Sequence, residues 1–320
     1  MTTPDGDAPT NPRGSQLSDQ PRLINVAYRL LGSLSEAEDV VQEAYVRWYR
    51  LSPQDRAAIA SPSAWLTTVT SRLCLDLLGS ARVRREQYVG AWVPEPIREP
   101  TEWPRAGGAV DPAERITLDE SVHMAFLVVL ETMTPAERVA FILHDVYRYP
   151  FAEVAEIVGR TPAACRQLAS SARARVRAAR TPPSPTAEQA DVVRRFAAAF
   201  ESSDIASLIA LLDPDATVIP DGGGRVAART HPLEGAETIA RYLVGLLAHA
   251  PSGVRFRLRT VNGRPGLVGE QDGVVATVFS FDVAGGRIRR IWATRNPDKL
   301  RGWRDVAGTA AEQAPTGPPT

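Results

Sequence analysis

Residues 181–186 read Thr-Pro-Pro-Ser-Pro-Thr, and the hydrophobic pattern changes period across them. Upstream, apolar residues recur at i, i+3 and i+4, the spacing of helices that bury one face. Leu23, Val26, Ala27, Leu30 and Leu31 form one such stripe; Val41, Ala44, Tyr45 and Trp48 form another. Downstream, two helical patterns (187–202 and 204–212) give way to alternation. "VRFRLRTV" alternates apolar residues with Arg, as a half-exposed strand does. "QDGVVATVFSFDV" opens on an Asp-Gly turn and "GGRIRRIWATR" on a Gly-Gly turn. One layer architecture cannot satisfy both regimes. The 320 residues therefore read as several domains, all-α before the prolines and α+β with an antiparallel curved sheet after them.

The helical part is itself divided. Ser35 and Glu38 form an S-x-x-E box that predicts a helix start. Pro62 or Ser63 opens a third long helix with Trp65, Val69 and Leu73 on its apolar face, and Gly79 weakens its end. Residues 86–111 are dense in Pro and Gly but carry Trp92 and Trp103, so part of this linker packs on something. Helices resume at Asp111-Pro112 with Glu114, and Thr134, Pro135 and Glu137 repeat the device. One helix then ends at Gly159, and Thr161-Pro162 opens the next after a short turn, the layout of a helix-turn-helix. The expected segments are a tail (1–16), a helical domain (17–85), a linker (86–111), a helix-turn-helix domain (112–180), a second linker (181–186), the α+β domain (187–306) and a tail (307–320).

Lys plus Arg and Asp plus Glu both number 37, so bulk charge does not announce a nucleic-acid partner. Cys74 and Cys165 belong to no metal or redox motif, and the four histidines are scattered. No metal or cofactor is expected. The N-terminus lacks the apolar core of a signal peptide and no apolar run is long enough for a membrane span, which favours a reduced cytoplasmic protein.

Local charge says more. On the second helix of the helix-turn-helix, Cys165, Leu168, Ala169, Ala172 and Val176 share an apolar face. Arg166, Gln167, Ser170, Arg173 and Arg177 point away from it. Between Arg160 and Arg180 there are six arginines and no acid. Arg and Gln suit base edges in the major groove, and trailing arginines suit phosphates.

"AYRLLGSLSEAEDVVQEAYVRWYR", "SPSAWLTTVTSRLCLDLLGSARVRRE" and this helix-turn-helix resemble regions 2 and 4 of bacterial extracytoplasmic-function RNA polymerase sigma factors. "WVPEP" (92–96), "DGGGR" (221–225) and "NPDKL" (296–300) resemble motifs of the sigma-J-like subgroup, which carries a fused C-terminal SnoaL-like domain. The resemblance implies two all-α sigma domains followed by an α+β NTF2-like cone. It implies that Asp39, Gln42 and Glu43 grip the β′ clamp helices of core polymerase and that region 4 meets the β flap. It places Ser61, Ser63, Thr67, Thr68, Ser71 and Arg72 against unpaired −10 bases, and Arg166, Gln167 and Ser170 on the −35 element. Promoter DNA is the implied partner. Trp65 fits core packing better than base stacking.

The glycine run of "DGGGR" lacks the Lys-Ser/Thr of a phosphate loop, and a strand-like "VAART" follows it. A docking loop is the reading it supports, its glycines allowing close backbone approach. The expected partner is "WVPEP": Trp92, Pro94, Glu95 and Pro96 against Asp221, Gly222, Gly223, Gly224 and Arg225, with Glu95 paired to Arg225. Asn296, Pro297, Asp298, Lys299 and Leu300 complete the regulatory set by resemblance. Asp221, His231 and Asp282 are the acid–base candidates should the cone be an enzyme, and a small-molecule ligand in the cone is a further option. The leading function is a sigma factor regulated by its own C-terminal domain. The alternatives are a free-standing helix-turn-helix regulator with a ligand-binding domain, and a SnoaL-like enzyme tethered to DNA.

Overall fold

The computed structural model describes residues 19–86, 88–98, 120–179, 184–226, 228–249 and 253–303. Trp103, the helix start at Asp111-Pro112 and both tails lie outside them. The helical domain that resembles region 2 consists of α1 (Gln20–Leu31), α2 (Leu34–Arg50), α3 (Pro53–Ala58) and α4 (Pro62–Glu86). The domain that resembles region 4, called region 4 below, has among its described residues a 3-10 turn (Glu120–Val122), α5 (Met124–Leu130), α6 (Pro135–Phe141) running into a π turn, α7 (Phe151–Val158) and α8 (Pro162–Ala179). Their apolar stripes merge into one core, in which Leu23, Trp48, Leu66, Phe141 and Ile157 are all buried.

Local signals set most helix ends. Gly32 adopts φ 71° and its N–H returns to the Tyr28 carbonyl, closing α1. Thr134 and Glu137 form the expected capping box of α6. Gly159 closes α7 at φ 70°, and the Thr161 hydroxyl accepts the Ala164 N–H to open α8. The start of α2 departs from expectation: Ser33, not Ser35, is its N-cap. Along α4 the buried positions include Leu66, Thr67, Thr70, Ser71, Cys74 and Leu78, while Trp65, Val69 and Leu73 are half-buried. Gly79 does not end α4, which continues to Glu86.

The C-terminal domain opens with α9 (Thr186–Glu201) and α10 (Ile205–Leu211), followed by β1 (Leu212–Asp221), β2 (Leu233–Glu234), α11 (Ala236–Ala248), β3 (Arg255–Val261), β4 (Arg264–Gln271), β5 (Val274–Ala284) and β6 (Arg287–Thr294). The sheet order is β2-β1-β6-β5-β4-β3. It is mixed rather than antiparallel, because β1 pairs in parallel with β6. Two-residue turns with positive φ join β3 to β6: Asn262-Gly263, Asp272-Gly273 and Gly285-Gly286. No strand follows "DGGGR" among the described residues of 226–230. One sheet face, with Leu267, Phe279, Phe281 and Ile291, packs on the helices. The other carries Val268, Val278 and Trp292 and is covered by Trp303, Leu300, Val93 and Met124, so linker and region 4 lie against it.

Candidate nucleic-acid interface and its interdomain hub

On α8, Arg166, Gln167, Ser170 and Arg177 are exposed, and Cys165, Ala169, Ala172 and Val176 are buried beneath them. The Arg166 guanidinium lies 5.7 Å from the Phe151 ring centroid, which braces it at the start of the helix. Arg173 is half-buried, with Nε 2.7 Å from Asp145 Oδ1. On α2, Asp39 and Gln42 are exposed, and Glu43 pairs with Arg47 one turn on at 2.8 Å. That face is open for a partner.

The α4 face is different. Ser61 is exposed and caps the helix, accepting the Ala64 N–H. Arg22 Nη2 donates to Ser63 Oγ (3.0 Å) and Thr67 Oγ1 (2.8 Å), while its Nη1 donates to the Tyr149 hydroxyl of region 4 (3.0 Å). Arg72 is exposed but donates to the Glu156 carbonyl of α7 at 2.9 Å. Thr68 is half-buried, and Ser71 is 0% exposed. A base cannot reach Ser71 in this arrangement; its position in the helix turns it toward the core rather than outward. Arg138 of α6 ties the two regions further, donating to the Leu30 carbonyl at 2.9 Å. Burial pulls its guanidinium down to about 9. Trp65 packs against Trp48 with ring centroids 5.2 Å apart, as expected for core.

The three motifs meet, with different pairs from those expected. Asp221, at the end of β1, is the centre. Its Oδ2 accepts from Lys299 Nζ (2.6 Å) and the Val93 N–H (3.2 Å), and its Oδ1 from the Tyr88 hydroxyl (2.5 Å) and the Gly223 N–H (3.1 Å). Lys299 also donates to the Val93 carbonyl at 2.5 Å and sits over the rings of Trp92 (4.3 Å) and Tyr88 (4.8 Å). Asn296 Nδ2 donates to the Tyr88 hydroxyl, and Asn296 Oδ1 accepts the Asp298 N–H, which shapes the Pro297 turn. Burial, then the Asp221 carboxylate, push the Tyr88 phenol up, so it remains a donor. Gly223 has φ 58°, and a Cβ there would lie 2.5 Å from Asn296 Cγ and 2.9 Å from the Tyr88 oxygen. Close approach is therefore what this glycine provides.

Arg225 pairs with Asp298 at 3.3 Å, not with Glu95. Glu95 turns the other way: its Oε2 accepts the Leu34 N–H (2.8 Å) and the Ser33 hydroxyl (3.1 Å). The Ser33 hydroxyl caps α2 by accepting the Glu36 N–H, and Glu95 takes a second orphan donor, the Leu34 N–H, at the positive end of the helix. Desolvation raises the Glu95 pKa against those bonds. Pro94 and Pro96 are buried, and the Pro96 carbonyl accepts from Trp303 Nε1 at 2.8 Å.

Two residues absent from the expected set complete the hub. Tyr88 precedes "WVPEP". Asn262 sits at the β3–β4 turn with φ 51° and is 1% exposed. Its Nδ2 donates to the Tyr28 hydroxyl of α1 (2.8 Å) and the Val122 carbonyl of region 4 (2.9 Å). Its Oδ1 accepts the Ile97 N–H of the linker (3.2 Å), and its own N–H donates to the Ile97 carbonyl. One side chain thus joins all four parts of the chain. An Asn-Gly pair after an alternating run was the signal available for it.

The acid–base candidates are not assembled. Asp221 is held by Lys299, His231 is exposed beside Thr230, and Asp282 lies on β5. Phe196, Phe200, Phe256, Phe279 and Phe281 fill the cone, with neighbouring centroids 4.9–6.4 Å apart. Among the described residues no His/Cys/Asp/Glu group could hold a metal, and no helix is long and apolar enough to cross a membrane.

Comparison with known proteins gives a coherent picture. Residues 17–84 match sigma-70 region 2, residues 123–176 match sigma-70 region 4, and residues 193–302 match the SnoaL-like domain. The chain is 39% identical over 292 residues to the ECF RNA polymerase sigma factor SigJ of Mycobacterium tuberculosis, covering 88% of this chain and 90% of that one. It is 34% identical over 282 residues to the probable ECF RNA polymerase sigma factor SigI of the same species, covering 87% and 91%. The crystal structure of M. tuberculosis SigJ aligns with a TM-score of 0.68 at 35% identity, covering 90% of this chain and 98% of that one.

Proposed function

The chain belongs to the ECF RNA polymerase sigma factor family, and on that premise we propose that its C-terminal domain regulates promoter recognition by holding regions 2 and 4 together. The observation that carries this reading is the state of α4. Its Ser63, Thr67 and Arg72 are engaged with Arg22 and with the Glu156 carbonyl on α7, while Asp39 and Gln42 on α2 are open. In this reading α2 docks on the core polymerase, Arg166, Gln167 and Ser170 contact −35 base edges, and Arg173 and Arg177 contact phosphates. Ser61, Ser63, Thr68 and Arg72 meet −10 DNA once α4 and α7 separate. The hub around Asp221 and the Asn262 junction set the cost of that separation. The phenylalanine filling of the cone supports a regulatory rather than catalytic domain.

The test is run-off transcription with purified core enzyme and a promoter pool drawn from the source genome. The wild-type chain is expected to direct initiation from a defined promoter class, and Lys299→Met is expected to change the yield without changing that class. Lack of any promoter-specific transcript from both proteins would sink the reading.

A further inference from the structure

A cavity of about 50 Å³ lies between region 4 and the C-terminal domain. No residue of the three motifs lines it. His123 and Met124 wall it from the region 4 side, and Arg264, Ser280, Asp282 and Phe281 wall it from the sheet side. Gln189 and Arg264 of its lining are hydrogen-bonded to carbonyls of the chain. Among the described residues nothing hydrogen-bonds to the His123 ring, the Ser280 hydroxyl or the Asp282 carboxylate, although Ser280 is only 5% exposed. His123 and Asp282 are half-exposed and Ser280 is nearly buried, so their polar ends open on the cavity rather than being sealed in the core.

The charges narrow the choice of ligand. Arg264 uses Nη1 on the Ser184 carbonyl at 3.0 Å and lies close to Asp282. Asp282 also faces Arg290 and Arg289. Burial, then Arg264, keep the His123 ring neutral, so it can donate and accept. A polyanion would meet Asp282, and a single carboxylate is a poor divalent-cation site. A group with an acceptor for Arg264 and a donor for Asp282 meets neither objection. The volume holds about four water-sized groups.

We propose that this cavity binds a small carboxylic acid bearing a hydroxyl or ammonium group on the adjacent carbon. The carboxylate faces Arg264 and Ser280, the donor faces Asp282, and His123 closes the site from region 4. Both domains contribute, so occupancy stabilises their docked arrangement by mass action. Binding itself does not depend on the sigma-factor reading.

The experiment is calorimetric titration of the full chain with glycolate, glycine and acetate. One-site binding of glycolate or glycine with a Kd below about 1 mM is expected. Preference between the two identifies the donor. Acetate, which leaves Asp282 without a donor, is expected to bind at least about 10-fold more weakly. Asp282→Asn is expected to weaken the preferred ligand by a similar factor. Ser280→Ala and Arg264→Gln carry the test should that variant fail to fold. Failure of both glycolate and glycine to saturate by about 10 mM, equal binding of acetate, or unchanged affinity in the folded variants would overturn the proposal.

Discussion

Replacing Asn262 with Gly removes a side chain that bridges three other parts of the chain and leaves the turn backbone unstrained. Three bonds are lost: to the Tyr28 hydroxyl, the Val122 carbonyl and the Ile97 N–H. The Asn262 N–H to the Ile97 carbonyl remains, since it belongs to the backbone. Each lost bond is worth about 1 kcal/mol net, and a buried partner left unpaired costs about 1–3 kcal/mol. Tyr28 still donates to the Glu95 carbonyl at 2.7 Å, so the penalty falls on Ile97 and Val122. The docked arrangement should weaken by about 3–5 kcal/mol, or roughly 100-fold to a few thousand-fold in the undocking equilibrium. Hydrogen exchange reads this residue by residue. The Ile97 amide should exchange faster by that factor, while the β4–β5 ladder amides of Val268 and Val278 keep their protection. Asn262→Ala should lose about 1 kcal/mol more, because φ 51° is costly for a residue with a Cβ. Linker exchange within about 3-fold of wild type in Asn262→Gly would show that the junction does not hold the domains.

Four other outcomes are expected. Asp39→Arg with Glu43→Arg should abolish co-elution with core polymerase at unchanged helicity, because the surface pair to Arg47 contributes at most about 0.5 kcal/mol to the fold. Arg166→Ala and Gln167→Ala should each reduce −35 discrimination by about 1–3 kcal/mol in competition binding, whereas Arg177→Ala should lower affinity and flatten the salt slope. Lys299→Met leaves the Asp221 carboxylate buried without its cation and should destabilise the docked form by about 3–5 kcal/mol, seen as an earlier first transition in urea. His123, pulled by burial and by Arg264 from the usual 6.5 to about 4, prefers to be neutral in the fold. Protonation therefore favours the exposed ring: stability is complete above about pH 6.5 and falls by about 2–3 kcal/mol toward pH 4, and His123→Phe should flatten that fall in pH-dependent unfolding.

Signals that act within a few residues were legible. Gly159 followed by Thr161-Pro162 specified the turn before α8, and the Asp-Gly and Gly-Gly pairs specified two of the hairpins, because each depends on local backbone preference. The apolar face of α8 followed from spacing alone. What escaped the sequence was set by partners far along the chain. The α2 cap at Ser33 is backed by a carboxylate 62 residues later, which accepts from the Ser33 hydroxyl and the Leu34 N–H. Arg225 sits beside Asp298 because the backbone of Asp221 holds the 295–296 amides. The parallel pairing of β1 with β6 is likewise a long-range choice that alternation cannot encode. Ser71 reads as a polar residue among polar residues, and only the packing of α4 turns it inward.

Under the proposed function, the same geometry would order the steps of promoter binding. Asp39 and Gln42 of α2 are exposed in the compact chain, so in that reading encounter with the core enzyme would require no opening. In the same reading, Ser63, Thr67 and Arg72 of α4 are engaged by Arg22 and α7, so contact with unpaired −10 bases would require it. Glu95 links the two events, since it caps α2 while its neighbour Val93 is held to Asp221 and Lys299. A pull on the start of α2 therefore strains the linker at the hub. Under the proposed function, polymerase docking that moves the start of α2 would be coupled to hub release, and reciprocally so, as in any linked equilibrium. Loosening the hub with Lys299→Met should raise affinity for core polymerase as well as for promoter DNA. Equal core affinity of wild type and Lys299→Met, together with stronger DNA binding by the variant, would place the hub outside the polymerase-docking step and leave Glu95 as a helix cap alone.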